Sequence, residues 1–528
     1  MRSKNPTYEY LKKSVFYQVY PTSFYDGNGD GVGDLSGVVS KLAYIKDLGA
    51  DGIWLNPCFL SEFRDGGYDV VDYYKIDPRF GTDGDLGRLF EEADKLGLKI
   101  LLDLVPGHTS EKCEWFLQSK KAGKNPYSDY YIWTDNVFND GAGLRTVNGV
   151  CERDGNYAVN FFAMQPALNF GFAEVRRPWQ KLWTDPSFEA IHSEIIRIME
   201  HYLSRGAAGF RVDMASSLIK YDADGAKNAE LWQMLIGRVK QKYPRAIFVS
   251  EWSQPEMSVG RAGFDIDFLI HVRGEAYNSL FRAEAEHGAW GAAGAPSYFR
   301  AGSPAGLGTF FDGFFHEAAG LNDNGFIGIP TGNHDIERLS AGRTADEMKT
   351  AFAFLLTLPS VPFIYYGDEI GMRHLPVPNK DGGYSRTGSR TPMQWTDGKR
   401  AGFSTAKPKE FYLPVENDPL VNVRAQENDG GSLLSCVKKL IQIRKGEPAL
   451  WADAEIKILT KYMETPFLYE RTDGKGKLVI ALNAKGGKAR RAFPCKGTVL
   501  AKNNCRVEAG ELCFDGCGFL IFKAGEKQ

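Results

Sequence analysis

The chain has no hydrophobic run near the roughly 20 apolar residues of a membrane span, so no membrane-spanning helix and no membrane partner are expected. A charge excess of one sign is missing too: 64 Lys plus Arg face 66 Asp plus Glu, a formal net charge of -2. Without a basic field nothing draws in nucleic acid or anionic lipid, and neither is expected as a partner. The eight cysteines, at 58, 113, 151, 436, 495, 505, 513 and 517, include no CxxC pair, which removes a zinc site of that kind. The opening stretch, MRSKNPTYEYLKKSVFYQ, holds no apolar segment of signal-peptide length. A cytoplasmic protein with free thiols is the expectation.

Aromatic residues, in contrast, are plentiful. They make up 13% of 528 residues, and rings with apolar faces and polar edges suit sugars. Eight short apolar runs recur: VFYQVYP at 15, DGIWLNP at 51, KILLDLVP at 99, GFRVDM at 209, AIFVSEW at 246, FDIDFLI at 264, FIGIPTGNHD at 326 and PFIYYGDE at 362. Between them lie stretches with helical apolar spacing, such as LSGVVSKLAYIKDLG, DLGRLFEEADKLG, IHSEIIRIMEHYLSRG and TADEMKTAFAFLLTL. Eight buried strands alternating with helices predict an α/β fold, a (β/α)8 TIM barrel, whose active site is built at the C-terminal strand ends. Two segments break the alternation. Residues 109–175, after the third strand, are too long for an ordinary connection and are assigned to an insertion domain. Alternating runs such as KLVIALNAK and GFLIFKAG assign 451–528 to an antiparallel β domain, taken as a sandwich, leaving 1–108 and 176–450 as the barrel.

The polar residues at the strand ends carry the chemistry. Arg211 and Asp213 in GFRVDMAS are two apart on a strand and share a face. An arginine keeps such a carboxylate ionised, as a nucleophile requires, although a barrel-closing ion pair reads the same way. Glu251 in AIFVSEWS ends an apolar strand beside Trp252, surroundings that suit a general acid or an ordinary strand-end glutamate. In PTGNHDIER, His334 and Asp335 form a polar clamp or a helix N-cap. Three acids at the ends of the fourth, fifth and seventh strands, with His108 after the third, point together to one face. Two carboxylates with separate roles are the minimum for glycoside hydrolysis with retention.

Through GYDVVDYYKIDPRFGT, DLVPGHTS, QPALNF, GFRVDMAS, FVSEWS, PTGNHDIERL and RTPMQW, residues 14 to 446 resemble the alpha-amylase superfamily of retaining α-glucan enzymes. The resemblance implies Asp213 as nucleophile, Glu251 as acid/base and Asp335 as third carboxylate. It further implies Arg211 orienting the nucleophile, His108 and His334 binding sugar hydroxyls, Tyr68 as platform and Asp103 supporting from the third strand. Asp65 in FRDGGYDV and Arg390 in GSRTPMQW look like the pair that closes the pocket in the exo-acting oligo-1,6-glucosidase and α-glucosidase branch; Arg390 supporting only its loop is the alternative. The segment DGNGDGVGD resembles a calcium-binding loop of that branch, implying a structural Ca2+ on Asp26, Asn28, Asp30, the Val32 carbonyl and Asp34. A glycine-rich turn whose acids cap a helix is the alternative, and an EF-hand is excluded because its twelfth position is Gly37, not Glu. Departures from the pattern are Gly107 in place of a usual Asn, Ala167 in place of a usual Asp, and Met214 to Ser217 after the nucleophile.

A retaining glycoside hydrolase cleaving α-glucosidic bonds in malto-oligosaccharides or related short α-glucans is the expected function. A transglycosylase or an isomerising enzyme of the trehalose synthase type would use the same residues. A non-catalytic amylase-like binding protein is the alternative from another class, and the presence of all three carboxylates speaks against it.

Overall fold

The computed structural model describes residues 6–148, 151–270, 275–282, 296–321, 324–382, 386–493 and 496–525. All eight apolar runs are strands: β1 (Phe16–Val19), β2 (Gly52–Leu55), β3 (Lys99–Leu104), β4 (Gly209–Val212), β5 (Ile247–Ser250), β6 (Ile266–Phe268), β7 (Phe326–Pro330) and β8 (Val361–Tyr365). Each pairs in parallel with its neighbour, and β8 closes on β1 with Phe16 opposite Phe363 and Gln18 opposite Tyr365. This is the predicted barrel. Its strands are buried on both faces because alternate residues serve two cores. Phe16, Trp54, Leu101, Val249, Phe268 and Phe363 fill the interior, the Phe268 ring lying 5.4 Å from Trp54 and 4.7 Å from Phe363. Their neighbours Tyr17, Ile53, Leu102, Phe210 and Phe248 join the cluster beneath the helices.

The helices start where side chains can take up their free amides. Thr82 with Asp85 and Thr344 with Glu347 form capping boxes on Asp83–Lys95 and Ala345–Thr357. LSGVVSKLAYIKDLG, expected as one helix, is two, Leu35–Ser40 and Leu42–Leu48. Lys41 breaks it, leaving helical geometry at φ -109° and ψ 4° and placing its ammonium over Tyr25 and Trp395, 4.1 and 4.3 Å from the ring centres.

After β3 the chain leaves the barrel, forms a hairpin from Thr146–Asn148 and Asn156–Ala158, and returns to the helix Glu189–Leu203. Bridges from His108 to Ala167 and from Tyr131 to Leu168 fasten this excursion over the C-terminal ends of the strands. The C-terminal region is one six-stranded antiparallel sheet rather than the expected sandwich of two. A single 14-residue strand, Glu511–Ala524, pairs with Lys477–Asn483, Ala489–Ala492 and Gly497–Glu508 and so joins what would otherwise be separate sheets. Two buried arginines serve the junction of sheet and barrel: Arg471, on the sheet, crosses it, and Arg444, on the last barrel helix, braces the barrel side. Arg471 donates to the carbonyls of Thr357, Trp451 and Ala454, and Arg444 to those of Leu356, Leu358 and Ser360. With only carbonyls for partners, burial pushes both guanidiniums down to about 9.

Candidate active site

The strand ends converge on a pocket of about 160 Å³ lined by Asp65, Tyr68, His108, Asp213, Glu251 and Asp335, with Phe161, Met214, Ser216, Trp252 and Arg386 completing the wall. That volume is below the roughly 300–1,000 Å³ of drug-sized sites and on the scale of one sugar ring. A larger cavity, about 590 Å³, opens near Tyr10, Lys99, Ala208 and Ile247 at the opposite end of the strands, away from the three carboxylates.

Arg211 organises the floor. Standing on β4, it donates from Nη1 to Asp103 at 2.8 Å and to Asp213 at 3.1 Å, and from Nη2 to Glu251 Oε2 at 2.6 Å. One guanidinium therefore holds both of these carboxyls, Asp213 and Glu251, in place. Met214, at φ 43°, occupies the left-handed region disfavoured for a side-chain-bearing residue, and this turn aims its amide at Glu251 Oε2, 3.0 Å away. Both bonds fall on the same carboxyl oxygen, Oε2. Burial, with the charge of Glu251 adding to it, pushes Asp213 well above the usual aspartate range, and Arg211 pulls the other way. Five carboxyls here share three guanidiniums, so burial likewise raises Asp103 to about 6 and Asp65 to about 7.

The sequence-derived residues fall into two layers. Asp65, Tyr68, His108 and the three principal carboxylates reach the pocket. Asp103, Arg211 and His334 stand behind it, each 2% exposed or less. Asp103 Oδ2 accepts from Trp54 Nε1 and from the Tyr68 hydroxyl, both at 2.9 Å, so it props the platform rather than touching a ligand. His334 stacks on Tyr68 with ring centres 5.2 Å apart. Its Nδ1 faces the amides of Gln18 and Asn56 at 3.1 and 3.2 Å, which puts the proton on Nε2, facing Asp335 Oδ2 at 3.2 Å. Burial holds it well below its ordinary pKa, so this is a neutral hydrogen bond.

Arg390 requires a correction. Fully buried, it donates Nε to the His334 carbonyl at 2.7 Å and Nη2 to Asp335 at 3.0 Å, and it neither lines the pocket nor pairs with Asp65. Arg386, four residues earlier, takes that place: it bonds Asp65 through Nη2 and Asp335 through Nη1 at 2.6 Å. The short 3-10 turn Thr387–Ser389 between the two arginines turns Arg390 inward and leaves Arg386 at the pocket. Trp54, Asn56, Phe161 and Arg386 were not singled out from sequence. The polar end of GIWLNP was signal enough for Asn56.

The DGNGDGVGD loop joins β1 to the helix Leu35–Ser40, which Asp34 caps by accepting from the Gly37 amide. Asp26 accepts from the amides of Gly29 and Gly31 at 2.6 and 2.7 Å, Asp30 from Val32 at 2.8 Å, and Asp34 from Gly27 and Asn28 at 3.0 Å. Among the described residues no three acidic, histidine or cysteine side chains converge as a metal cluster.

Residues 18–453 match the family model described as Alpha amylase, catalytic domain. The chain belongs to the alpha-amylase family. An oligo-1,6-glucosidase of Heyndrickxia coagulans is 31% identical, covering 90% of this chain and 92% of its own length. The trehalose synthase/amylase of Mycobacterium tuberculosis is 30% identical over 84% of this chain and 76% of its own, and a salivary alpha-glucosidase of Aedes aegypti 30% identical over 89% and 84%. Among solved structures, a point mutant of the trehalulose synthase MutB in complex with Tris superposes with a TM-score of 0.82 at 25% identity, covering 98% of this chain and all of that one. No helix among the described residues of this amylase-family chain is long and apolar enough to cross a membrane.

Proposed function

We propose that this alpha-amylase-family protein is a retaining α-glucosidase releasing single sugars from malto-oligosaccharides or related short α-glucans. One observation carries the reading: Asp213 and Glu251 are bonded to the two ends of one guanidinium at the floor of a one-ring pocket. Retaining chemistry needs its two carboxyls close, about 5–5.5 Å apart, where inverting chemistry leaves room for a water. Asp213 attacks the anomeric carbon while Glu251 protonates the departing oxygen; Glu251, now ionised, then takes a proton from water as that water releases the sugar from Asp213. Asp335, Asp65 and Arg386 meet the hydroxyls, and the Asp65–Arg386 pair closes the far end, favouring exo attack. Proton NMR of the first product formed, with maltotriose, isomaltose, pullulan and trehalose as substrates, tests this. Newly released α-glucose from a short substrate supports it, and β-product or cleavage of pullulan alone defeats it.

Transfer to another sugar hydroxyl, as in a transglycosylase or an isomerising enzyme, is the second reading. Phe161, Met214 and Trp252 favour it by giving the pocket an apolar wall that disfavours water. A calcium ion at the first loop remains part of the proposal. Its donors are all oxygens, as calcium prefers, and Asn28 and Asp30 are exposed to solvent; Asp26, Asn28, Asp30, Asp34 and the Val32 carbonyl would hold it, stiffening the loop without joining the chemistry. A cytoplasmic location also belongs here, supported by the free thiols of Cys58, Cys113, Cys436, Cys505, Cys513 and Cys517.

A further inference from the structure

Gly107 stands where the family resemblance leads one to expect an asparagine, and the structure shows what fills the space. A Cβ at Gly107 would lie 2.6 Å from Asn160 Nδ2 and 3.2 Å from Ser217 Oγ. An amide does occupy the place, but it arrives from the insertion domain. Asn160 is 7% exposed. Its Oδ1 accepts from Lys220 Nζ at 3.1 Å, and its Nδ2 lies 3.2 Å from His108 Nδ1, 3.2 Å from Ser217 Oγ and 3.8 Å from Met214 Sδ.

Proton inventory then orders the group. A lysine ammonium only donates, so the amide oxygen faces Lys220 and the NH2 faces His108. His108 Nδ1 is thereby an acceptor. The ring proton sits on Nε2, 3.2 Å from the Tyr68 carbonyl, in a residue that lines the pocket.

We propose that Asn160, oriented by Lys220, is a positioning residue that holds His108 in its Nε2–H tautomer, so that the ring donates to the Tyr68 carbonyl and fixes this wall of the pocket. The group ties together the loop after β3, the insertion domain and the loop after β4, so docking of the insertion domain and the state of the histidine are one event. Only the expected loss of rate rests on the glucosidase reading. The tautomer itself is readable without substrate.

Three variants test it. Asn160→Asp keeps an acceptor for Lys220 but cannot donate to a bare Nδ1; Asn160→Ala removes both bonds; Gly107→Asn with Asn160→Ala returns the amide from the other side. In 15N spectra of histidine-labelled protein, the His108 signals, identified by their loss in His108→Gln, should show a protonated Nε2 and a bare Nδ1. In Asn160→Asp the proton should move to Nδ1 or occupy both nitrogens. kcat/KM should fall about 10- to 100-fold in both single variants, the range for a buried hydrogen-bond partner lost, and recover at least tenfold, roughly one bond's worth, in the double variant. An Asn160→Asp protein with unchanged ring signals and rate would overturn the proposal, as would a folded double variant no better than Asn160→Ala. If wild type cleaves no α-glucoside, the functional reading fails, and the spectra still decide this one.

Discussion

Arg386→Ala isolates the closed end of the pocket. Asp335 would keep Arg390 Nη2 at 3.0 Å, while Asp65 would be left with Gln165 Nε2 at 2.7 Å and no bonded cation. Breaking a buried ion pair costs about 3–5 kcal/mol, unless the stranded group takes up a proton. Asp65 already sits at about 7, burial pushing it up and Arg386 and Arg390 pulling it down, so at pH 6 it protonates and the variant should keep most of its stability. Above pH 7 wild-type Asp65 is ionised both folded and unfolded. The folded variant still binds a proton that the unfolded chain does not, so the stability gap widens by about 1.4 kcal/mol per pH unit. Activity should drop at every pH, because a positioning cation is gone: about 3 kcal/mol, or roughly two orders of magnitude in kcat/KM. Thermal unfolding at two pH values and kinetics on an aryl α-glucoside measure both. Arg390→Ala is the control, since loss of a buried residue bonded to the His334 backbone should lower stability at either pH. An Arg386→Ala enzyme with kcat/KM within about threefold of wild type, alongside an inactive but stable Arg390→Ala, would refute the reasoning.

Asp213→Asn and Glu251→Gln should each cost at least about 10³-fold in kcat with the fold intact by circular dichroism, the scale of losing a nucleophile or an acid/base. Because burial raises Asp213, the acid limb of kcat/KM should lie above the ordinary aspartate value of about 3.9; a limb at or below it contradicts the assignment. Glu369, raised to about 7 by burial and bonded through Oε1 to the Tyr17 and Tyr44 hydroxyls at 2.6 and 2.7 Å, is protonated in the native state at pH values where the unfolded chain is ionised. Its contribution is full below about pH 4.3 and lost as pH rises through 7, so Glu369→Gln should gain on wild type by about 3 kcal/mol between pH 4.5 and 8 in denaturant titrations. Calcium should raise the melting temperature of wild type more than that of Asp30→Ala; equal shifts in both remove the ion from the first loop.

The barrel was legible because each strand is an apolar run ended by a polar residue, and that rule placed Asp103, Asp213, Glu251 and Asp335. The same rule, applied to GIWLNP, finds Asn56, whose amide donates to the Tyr68 hydroxyl at 2.9 Å. Arg386 obeys no such rule. Two arginines four apart in one loop look alike in sequence, and only the turn between them decides which one meets Asp65. Asn160 was illegible for a related reason: its partners, His108 and Lys220, lie 52 and 60 residues away. Strand content in the C-terminal region was readable, but one long strand serving three partners is a matter of pairing, which periodicity does not encode.

The two arginines at the barrel's seam have a consequence for how the molecule comes apart. The last turn of Ala345–Thr357 leaves carbonyls that no helix bond can satisfy, and it is side chains from beyond that helix, Arg444 and Arg471, that take them up. A barrel cut off near residue 451 would keep Arg444 but lose Arg471, stranding the Thr357 oxygen and exposing the face beneath the sheet. Sheet and barrel should therefore melt as one cooperative unit, and a signal placed on the sheet would report the loss of the pocket.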